Sequence, residues 1–564
     1  MRRPISAIAA SAALALPGLA AAQPAELVIW GGPVYTGDKA RPKAEAVAVA
    51  GGRIAYVGAR AGAQARVGPR TRVIDLKGAA LFPGFTDAHA HLRGIGEREL
   101  TLNLEGAKSA AEVAERLRRH IAERRPAGPV YGRGWIETGW PEGRFLQRED
   151  LDAVARDLPV ILERADGHAL TANSAALKAA GVDAHTAAPE GGQILKDARG
   201  EPTGMLVDNA MPLVMKLVPP PGEAEKLAAY RAAFKVETAY GWTGVHNMSV
   251  DWADVALLER MAERGEATLR VYNAVDAGQA GPLFEGGPRS AADGRITTRA
   301  VKLYMDGALG SRGAVLFRPY SDAPHVSGTY VTRPEEARPI LARARTAGIQ
   351  VSMHAIGDKG NATVLDLFEA AFREARPNAP RGAPRWRVEH AQVVRPADLP
   401  RFARDRVIAS MQPSHAIGDL HFAPARLGDD RLDGAYAWKS LLRSGAVVAG
   451  GSDAPVERGD PLIEFYAAVA RKDLAGFSGP EWRPQEALTR EEALRLFTAN
   501  AAFARFAEDE LGAIQAGKRA DLSAFSVDLM TAPAAEIPKG RAVLTVVDGD
   551  VVYESLNGTP RSSP

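Results

Sequence analysis

The chain has 564 residues, of which 46% are hydrophobic, enough for a large core and about three domains. Its 70 Lys and Arg residues nearly balance its 68 Asp and Glu residues, so charge gives no general reason to expect nucleic acid or an anionic membrane surface as a partner. The absence of cysteine excludes disulfides, thiolate metal sites and a cysteine nucleophile.

The first 22 residues have the composition of a signal peptide. Residues 1–3 carry two arginines, residues 5–19 are rich in Ala and Leu, and three alanines precede Gln23. The apolar stretch is short and is interrupted by Pro17 and Gly18, which disfavours a membrane anchor. We therefore predict that residues 1–22 are removed and that the mature chain is periplasmic or secreted, without stable membrane insertion.

Two β-rich ends flank a different middle. From Leu27 to Val73 the chain alternates short apolar stretches with turns, and Gly51-Gly52 is a hairpin signal. A similar pattern returns near the carboxyl terminus, around the Asp548-Gly549 turn. This predicts one composite β-sandwich domain, built from residues 23–80 and 505–556.

The middle of the chain alternates short apolar stretches with helical patterns. The eight candidate strands lie in ALFPGFTDAHAH, TGVHNM, LRVYNAV, AVKLYMDG, QVSMHAIGD, WRVEHAQ, VIASMQP and AVVAGGSDAP. Eight such repeats are typical of a parallel, TIM-like (β/α)8 barrel. The alternative, an open doubly wound sheet, is disfavoured because no glycine-rich phosphate turn follows the first strand.

The first two candidate strands are too far apart for a simple connection. We therefore predict an α/β protein whose catalytic barrel comprises residues 81–95 and 223–504. Residues 96–222 contain their own helical and hairpin patterns, including a helix that begins after Ser109 with Glu112 in the capping-box position. They are predicted to form an inserted α+β domain over the barrel mouth.

Ionisable side chains are expected to converge at the carboxyl ends of the barrel strands, where such barrels place their active sites. Strand alternation puts Asp87, His89 and His91 on one face, and Lys302, Tyr304 and Asp306 on one face. The convergent set comprises His89, His91, Lys302, His354, His390 and Asp453. A divalent cation would neutralise such a cluster. Imidazole and carboxylate suit zinc, with nickel, iron and manganese as competitors.

Five ordered segments carry a family resemblance: PGFTDAHAH (83–91), VKLYMDGALGS (301–311), MHAIGD (353–358), RVEHAQ (387–392) and GSDAP (451–455). The chain resembles the amidohydrolase superfamily, and in detail its family 3 branch of YtcJ-like and N-substituted formamide deformylase-like proteins. The resemblance covers nearly all of the mature chain. It implies a metal-dependent hydrolase barrel.

The resemblance also implies roles for the convergent residues. His89 and His91 would bind one ion, and His354 and His390 a second. Lys302, carboxylated on its amine, would bridge the two ions, while Asp453 would bind the first ion and act as general base. An uncarboxylated Lys302 beside a single ion is the alternative, so we expect one or two ions per chain, with zinc favoured.

Four further residues are predicted to bind substrate: His168, Asp306, Arg312 and Trp135. Asp306 and Arg312 belong to a glycine-rich segment after the fourth strand, which is either a mobile substrate loop or an ordinary connection. His168, in ADGHA, either reaches the barrel mouth or packs within the insertion. Trp135, in GRGWIETGW, either lines an apolar pocket or lies in a core.

The leading hypothesis is an exported metal-dependent amidohydrolase that cleaves a non-peptide C–N bond, in an amide, N-acyl or N-formyl compound. A metal-activated hydroxide would attack, with Asp453 as general base. An esterase, lactonase or phosphotriesterase on the same scaffold is the alternative, and a non-catalytic metal- or ligand-binding protein is less favoured. The expected partner is a small-molecule amide, and a homodimer is left open.

Overall fold

The computed structural model describes residues 24–374, 383–479 and 482–556. The predicted signal peptide, residues 1–22, lies outside these ranges and stays a prediction. Within the described ranges, no helix combines the length and the apolar character that crossing a membrane requires.

Eight parallel strands form the centre of the molecule, in the order in which they occur along the chain. They are β1 (Phe85–Ala90), β2 (Trp242–Val250), β3 (Arg270–Asp276), β4 (Ile296–Tyr304), β5 (Gln350–Ala355), β6 (Arg387–His390), β7 (Ile408–Met411) and β8 (Val448–Gly450). Just beyond β1 and β8, the His91 N–H donates to the Ala454 carbonyl (2.8 Å) and the Asp453 N–H to the His89 carbonyl (2.7 Å). These bonds join the first strand to the last, and the predicted (β/α)8 barrel is confirmed.

Helices follow the barrel strands along the chain, and the last three lie after β8. In chain order these helices are Leu92–Leu100, Glu223–Tyr240, Trp252–Glu263, Gly281–Gly286, Pro334–Ala347, Asp358–Arg373, Leu399–Arg404, Pro413–Asp419, Ala423–Leu427, Trp438–Arg443, Pro461–Ala470, Arg490–Phe497 and Ala499–Ala504. The helix Glu223–Tyr240 shows how local sequence sets the limits. At its start the Gly222 N–H donates to the Glu225 carboxylate (2.7 Å), and at its end Gly241 has φ +103°, a conformation that glycine adopts readily.

The two ends of the chain form one eight-stranded sheet beside the barrel. Its strands are Leu27–Tyr35, Lys43–Ala50, Arg53–Gly58, Arg72–Asp75, Ala80–Pro83, Leu522–Phe525, Ala542–Val547 and Asp550–Glu554. Ala80–Pro83 pairs with Leu27–Tyr35 on one side and with Leu522–Phe525 on the other. Buried apolar side chains from both ends share one core, so neither end would complete this unit alone.

The inserted segment has its own six-stranded sheet. Its strands are Leu102–Asn103, Val130–Trp135, Val160–Arg164, Ala169–Ala172, Gly192–Lys196 and Pro202–Asp208, and its helices are Ala110–Arg124, Arg148–Asp152, Ser174–Ala180 and Pro212–Met215. Ser109 caps the first helix by accepting the Glu112 N–H (3.1 Å). The Glu112 carboxylate accepts the Lys108 N–H (2.9 Å) instead of the Ser109 N–H, so half of the predicted capping box forms.

Aromatic side chains pack where β1 and β2 begin. The ring centroid of Phe85 lies 6.3 Å from that of Trp242, 5.9 Å from that of Phe497 and 5.2 Å from that of Phe525. All four side chains are buried, and the Trp242 indole donates to the Gly459 carbonyl (2.7 Å). This aromatic cluster joins the barrel to the terminal sheet.

Candidate metal centre

His89 and His91 meet Asp453 where β1 and β8 end. The Asp453 Oδ1 atom lies 3.4 Å from the His89 Nε2 atom and 3.2 Å from the His91 Nε2 atom. The two histidines come from one strand end, and the backbone bonds that close the barrel hold Asp453 beside them. Two imidazoles and a carboxylate, each offering one atom, thus surround one point.

The backbone at Asp453 is left-handed, with φ +62°. Such a conformation costs a non-glycine residue about 1–3 kcal/mol and is concentrated at functional sites. The Asp453 carboxylate is nearly buried, with 7% of the side chain exposed. Burial by itself would raise its pKa, but the neighbouring imidazoles, His89 above all, hold that pKa well below its ordinary value. Asp453 is therefore an anion aimed at the histidines.

The end of β6 departs from strand alternation, because His390 has φ +74° and Ala391 has φ +43°. Consecutive residues of a regular strand point to opposite faces, yet Glu389 and His390 both reach the centre. The Glu389 Oε2 atom lies 2.6 Å from the His89 Nδ1 atom, and the His390 Nδ1 atom lies 2.8 Å from the Gln412 Oε1 atom. Both imidazoles are thereby held in fixed orientations.

Lys302, on β4, is buried beside His89. Its Nζ atom lies 3.2 Å from the His89 Nε2 atom, and no carboxylate of the described residues lies within ion-pair distance of it. Burial is the main cause that lowers the pKa of Lys302 to about 8. Burial, together with the charge of Lys302, lowers the pKa of His89 to about 4. Both shifts move these nitrogen atoms toward their neutral forms, which have free electron pairs.

His354 ends β5 and faces Asp306. Its Nε2 atom lies 3.6 Å from the Asp306 Oδ1 atom, and its ring centroid lies 4.5 Å from that of His390. The Asp306 carboxylate accepts the backbone N–H groups of Val315, Ile356 and Gly357. Asp306 therefore braces two loops behind His354 and does not line either of the cavities described below.

The buried polar atoms without a hydrogen-bond partner among the described residues include Asp453 Oδ1, His354 Nε2 and His415 Nε2. Unpaired buried polar atoms are costly and call for a ligand. Two ligand atoms about 2.0–2.1 Å from a tetrahedral ion lie roughly 3.3–3.4 Å apart, close to the 3.2 and 3.4 Å that separate Asp453 Oδ1 from His91 and His89. The residues present therefore fit a divalent metal ion.

Two cavities meet at the centre. The larger, here the Phe422 cavity, has a volume of about 380 Å³, and its wall includes Leu309, Ile417, Phe422 and Glu457. The other, the Arg133 cavity, has a volume of about 350 Å³. Their shared lining residues are Asp166, His168, His354, His390, Asp453 and Val456. A bound molecule can thus extend to both sides of Asp453.

The insertion contributes His168 to both cavities. The His168 Nδ1 atom lies 2.7 Å from the Asp208 Oδ1 atom, and its ring centroid lies 5.2 Å from that of His354. Asp208 packs against two glycines of the segment after β4, because a Cβ atom at Gly307 or Gly313 would lie 2.7 or 2.8 Å from its Oδ2 atom. Gly307 and Gly313 thus leave room for Asp208, which orients His168.

The other two predicted substrate residues lie away from both cavities. The Arg312 Nη2 atom lies 2.9 Å from the Asp322 Oδ2 atom. Trp135 is fully buried within the insertion, where its indole donates to the Leu162 carbonyl (2.9 Å). Its neighbours Gly134 and Ile136 line the Phe422 cavity instead.

Sequence reasoning missed Glu389 and Gln412, and it gave little weight to His415. The signal for Glu389 was an acidic residue inside a four-residue buried strand, since buried carboxylates are rare without a partner. Arg387, on the same strand, pairs with Glu389 (2.7 Å) and with the His246 Nδ1 atom (2.7 Å). These partners form a buried network beneath the centre.

Comparisons with known proteins agree with this architecture. The chain is 35% identical over 543 residues to YtcJ of Bacillus subtilis (strain 168), covering 93% of this chain and 99% of that protein. It is 29% identical to the N-substituted formamide deformylase of Arthrobacter pascens, covering 94% and 98%. A crystal structure of an uncharacterized metal-dependent hydrolase from Pyrococcus horikoshii OT3 matches with a TM-score of 0.73 and 27% identity, over 90% of this chain and 99% of that one. The family model described as "Amidohydrolase family" matches residues 72–553, and the chain belongs to that family.

Proposed function

We propose that this protein is a metal-dependent hydrolase that cleaves a non-peptide C–N bond, in an amide, N-acyl or N-formyl compound. The observation that carries the proposal is the convergence of His89, His91 and Asp453 around one point at the junction of two cavities. Similarity to an N-substituted formamide deformylase supports the class of bond.

The proposed metal site comprises the six residues at the strand ends. His89, His91 and Asp453 would hold one divalent ion, and His354 and His390 a second. Zinc is the favoured ion because imidazole nitrogens and carboxylate oxygens suit it. Lys302 is proposed to be carboxylated and to bridge the two ions. Its burial beside His89, without a carboxylate partner, favours the neutral amine that takes up carbon dioxide.

Hydrolysis adds water across the bond: the water oxygen joins the carbonyl carbon, the C–N bond breaks, and the nitrogen leaves with a proton. A bound divalent ion supplies Lewis-acid polarisation of the carbonyl and acidifies the attacking water. Asp453 accepts the proton of that water and delivers it to the leaving nitrogen. Its place between the two cavities lets it reach both positions in turn.

Other side chains would orient these groups. Glu389, bonded to the His89 Nδ1 atom, leaves the Nε2 atom directed at the centre. His168, held by Asp208, lies at the junction and would position the substrate between the cavities. The substrate's two parts, on either side of the scissile bond, would occupy the Phe422 and Arg133 cavities.

Elemental analysis joined to a substrate panel tests the proposal. We expect purified protein to contain one or two divalent ions per chain and to hydrolyse N-formyl or N-acyl amines. Activity should be lost on chelation and restored by zinc or manganese. A panel of esters, lactones and phosphotriesters distinguishes the alternative chemistry. Near-zero metal content, with no gain in activity on adding either ion, would falsify the proposal.

A further inference from the structure

His415 approaches the Oδ2 atom of Asp453, whereas His89 and His91 approach its Oδ1 atom. It belongs to the helix Pro413–Asp419, which begins just after β7. Its ring is nearly parallel to that of His390, with centroids 5.7 Å apart. The side chain is 12% exposed, and the Nε2 atom has no hydrogen-bond partner among the described residues.

The two oxygens of Asp453 face different pairs of histidines. Oδ1 faces His89 and His91, as described above. Oδ2 lies 3.5 Å from the His415 Nε2 atom and 3.9 Å from the His390 Nδ1 atom. One nitrogen or oxygen from each of His390, His415 and Asp453 lies within 4.8 Å of the others, which makes a second donor set of the same chemistry as the first.

The spacing on this side suits an ion better than a shared proton. A hydrogen bond between an imidazole nitrogen and a carboxylate is normally about 2.7–2.9 Å long, whereas Oδ2 and the His415 Nε2 atom are 3.5 Å apart. Ligands of one tetrahedral zinc ion are separated by roughly 3.3–3.4 Å. The Glu457 Oε1 atom lies 3.9 Å from the same nitrogen, and burial, together with the neighbouring carboxylates, raises the pKa of Glu457 well above its ordinary value.

We propose that His415 is a further ligand of the second divalent cation, the ion assigned above to His354 and His390, on the side that the Oδ2 atom of Asp453 faces. This inference rests on the proposed function and adds a ligand to the six residues assigned there. The His390 Nδ1 atom, from which the 3.9 Å distance to Oδ2 is measured, is bonded to Gln412. His390 would therefore bind the ion through the Nε2 atom of the same ring. A carboxylate has about four acceptor positions on its two oxygens, so Asp453 can contact an ion and still accept the proton of the attacking water.

Zinc titration of metal-depleted full-length protein tests the inference, with a chromophoric chelator as competitor. Wild-type protein should bind two ions, and H415Q should bind one, or hold the second at least about 100-fold more weakly, since even loss of an indirect partner costs 10–100-fold. The matched control is H421Q, because His421 is 41% exposed and pairs with Asp473 instead. It should keep both ions.

A cysteine variant provides a direct signature, because the chain has no cysteine of its own. H415C loaded with cobalt(II) should show a sulfur-to-cobalt charge-transfer band that H421C lacks. If H415Q binds zinc with the affinity and stoichiometry of the wild type, the inference is wrong. If H415Q does not fold, the cobalt spectrum of H415C decides instead, and absence of the charge-transfer band counts against the inference. Wild-type protein that binds no zinc contradicts the proposed function itself, so the two failures are distinguishable.

Discussion

The two ends of the barrel strands contrast sharply. Where β1 and β2 begin, Phe85 and Trp242 pack with other buried rings, and the Trp242 indole is hydrogen-bonded. Where β1 and β8 end, His89 and Asp453 lie 3.4 Å apart with a carboxylate oxygen unpaired. The backbone differs as well, because His390 and Asp453 have positive φ values at the carboxyl ends.

This contrast indicates that residues at the starts of the barrel strands stabilise the fold, whereas residues at the ends of the same strands serve the chemistry. Well-packed apolar side chains with satisfied polar atoms lower the free energy of the folded state. Unpaired polar atoms and left-handed residues raise it and persist only where the surrounding structure holds them. We therefore expect substitutions at the strand starts to change unfolding, and substitutions at the strand ends to change metal binding and turnover.

Asp453→Asn should have the largest effect on turnover. The amide keeps the shape of the side chain but cannot accept the proton, so kcat should fall about 10⁴-fold, equivalent to about 5 kcal/mol. Steady-state kinetics on an N-acyl or N-formyl substrate, with circular dichroism as a check of fold, measure it. Asp430→Asn is the control, since Asp430 is 64% exposed and pairs with Arg318. Near-wild-type turnover in Asp453→Asn would show that another group is the base.

Phe85→Ala should produce the largest loss of stability. Removing a fully buried ring from the aromatic cluster leaves a cavity and costs about 3–5 kcal/mol. Urea unfolding of the variant measures this loss, and Phe477→Ala is the control because Phe477 is 52% exposed. Metal content of the folded Phe85→Ala protein should equal that of the wild type. If Phe85→Ala keeps wild-type stability but loses metal, the starts and the ends of the strands do not have separate roles.

His168→Asn tests whether the insertion takes part in catalysis. Loss of a hydrogen bond made by an oriented imidazole should lower kcat/KM about 30-fold, or about 2 kcal/mol. His185→Asn is the matched control, since His185 is exposed on the same insertion. Stopped assays on both variants, with zinc content measured in parallel, give the comparison. If kcat/KM is equal in the two variants, the insertion covers the barrel mouth but His168 does not act on the substrate.

Trp135→Phe should have the smallest effect, and on stability alone. The change removes the indole that donates to the Leu162 carbonyl and should cost about 1 kcal/mol. Its neighbour supplies the contrast, because Ile136 lines the Phe422 cavity and Ile136→Ala should raise KM. Thermal unfolding and KM of both variants test the pair. A raised KM in Trp135→Phe would restore the substrate role that the sequence suggested.

Much of the architecture could be predicted from the amino-acid sequence. Eight apolar stretches separated by helical patterns predict the barrel, because each strand buries both faces and each helix covers it. The bounds of the helix Glu223–Tyr240 follow local signals in the sequence, because prolines precede the helix and Gly241 ends it. The same periodicity puts His89, Lys302, His354 and His390 at strand ends, and the tertiary structure brings those ends together.

Only the tertiary structure decided which of these side chains meet. Glu389 pairs with His89 across 300 residues, and no local pattern encodes such a contact. The positive φ of His390 breaks the alternation that sequence reasoning relies on, so two consecutive residues face the centre. Trp135 and Ile136 are adjacent in sequence, yet one lies in a core and the other on a cavity wall. Composition and period determined the strands and helices, whereas packing between distant segments determined the site.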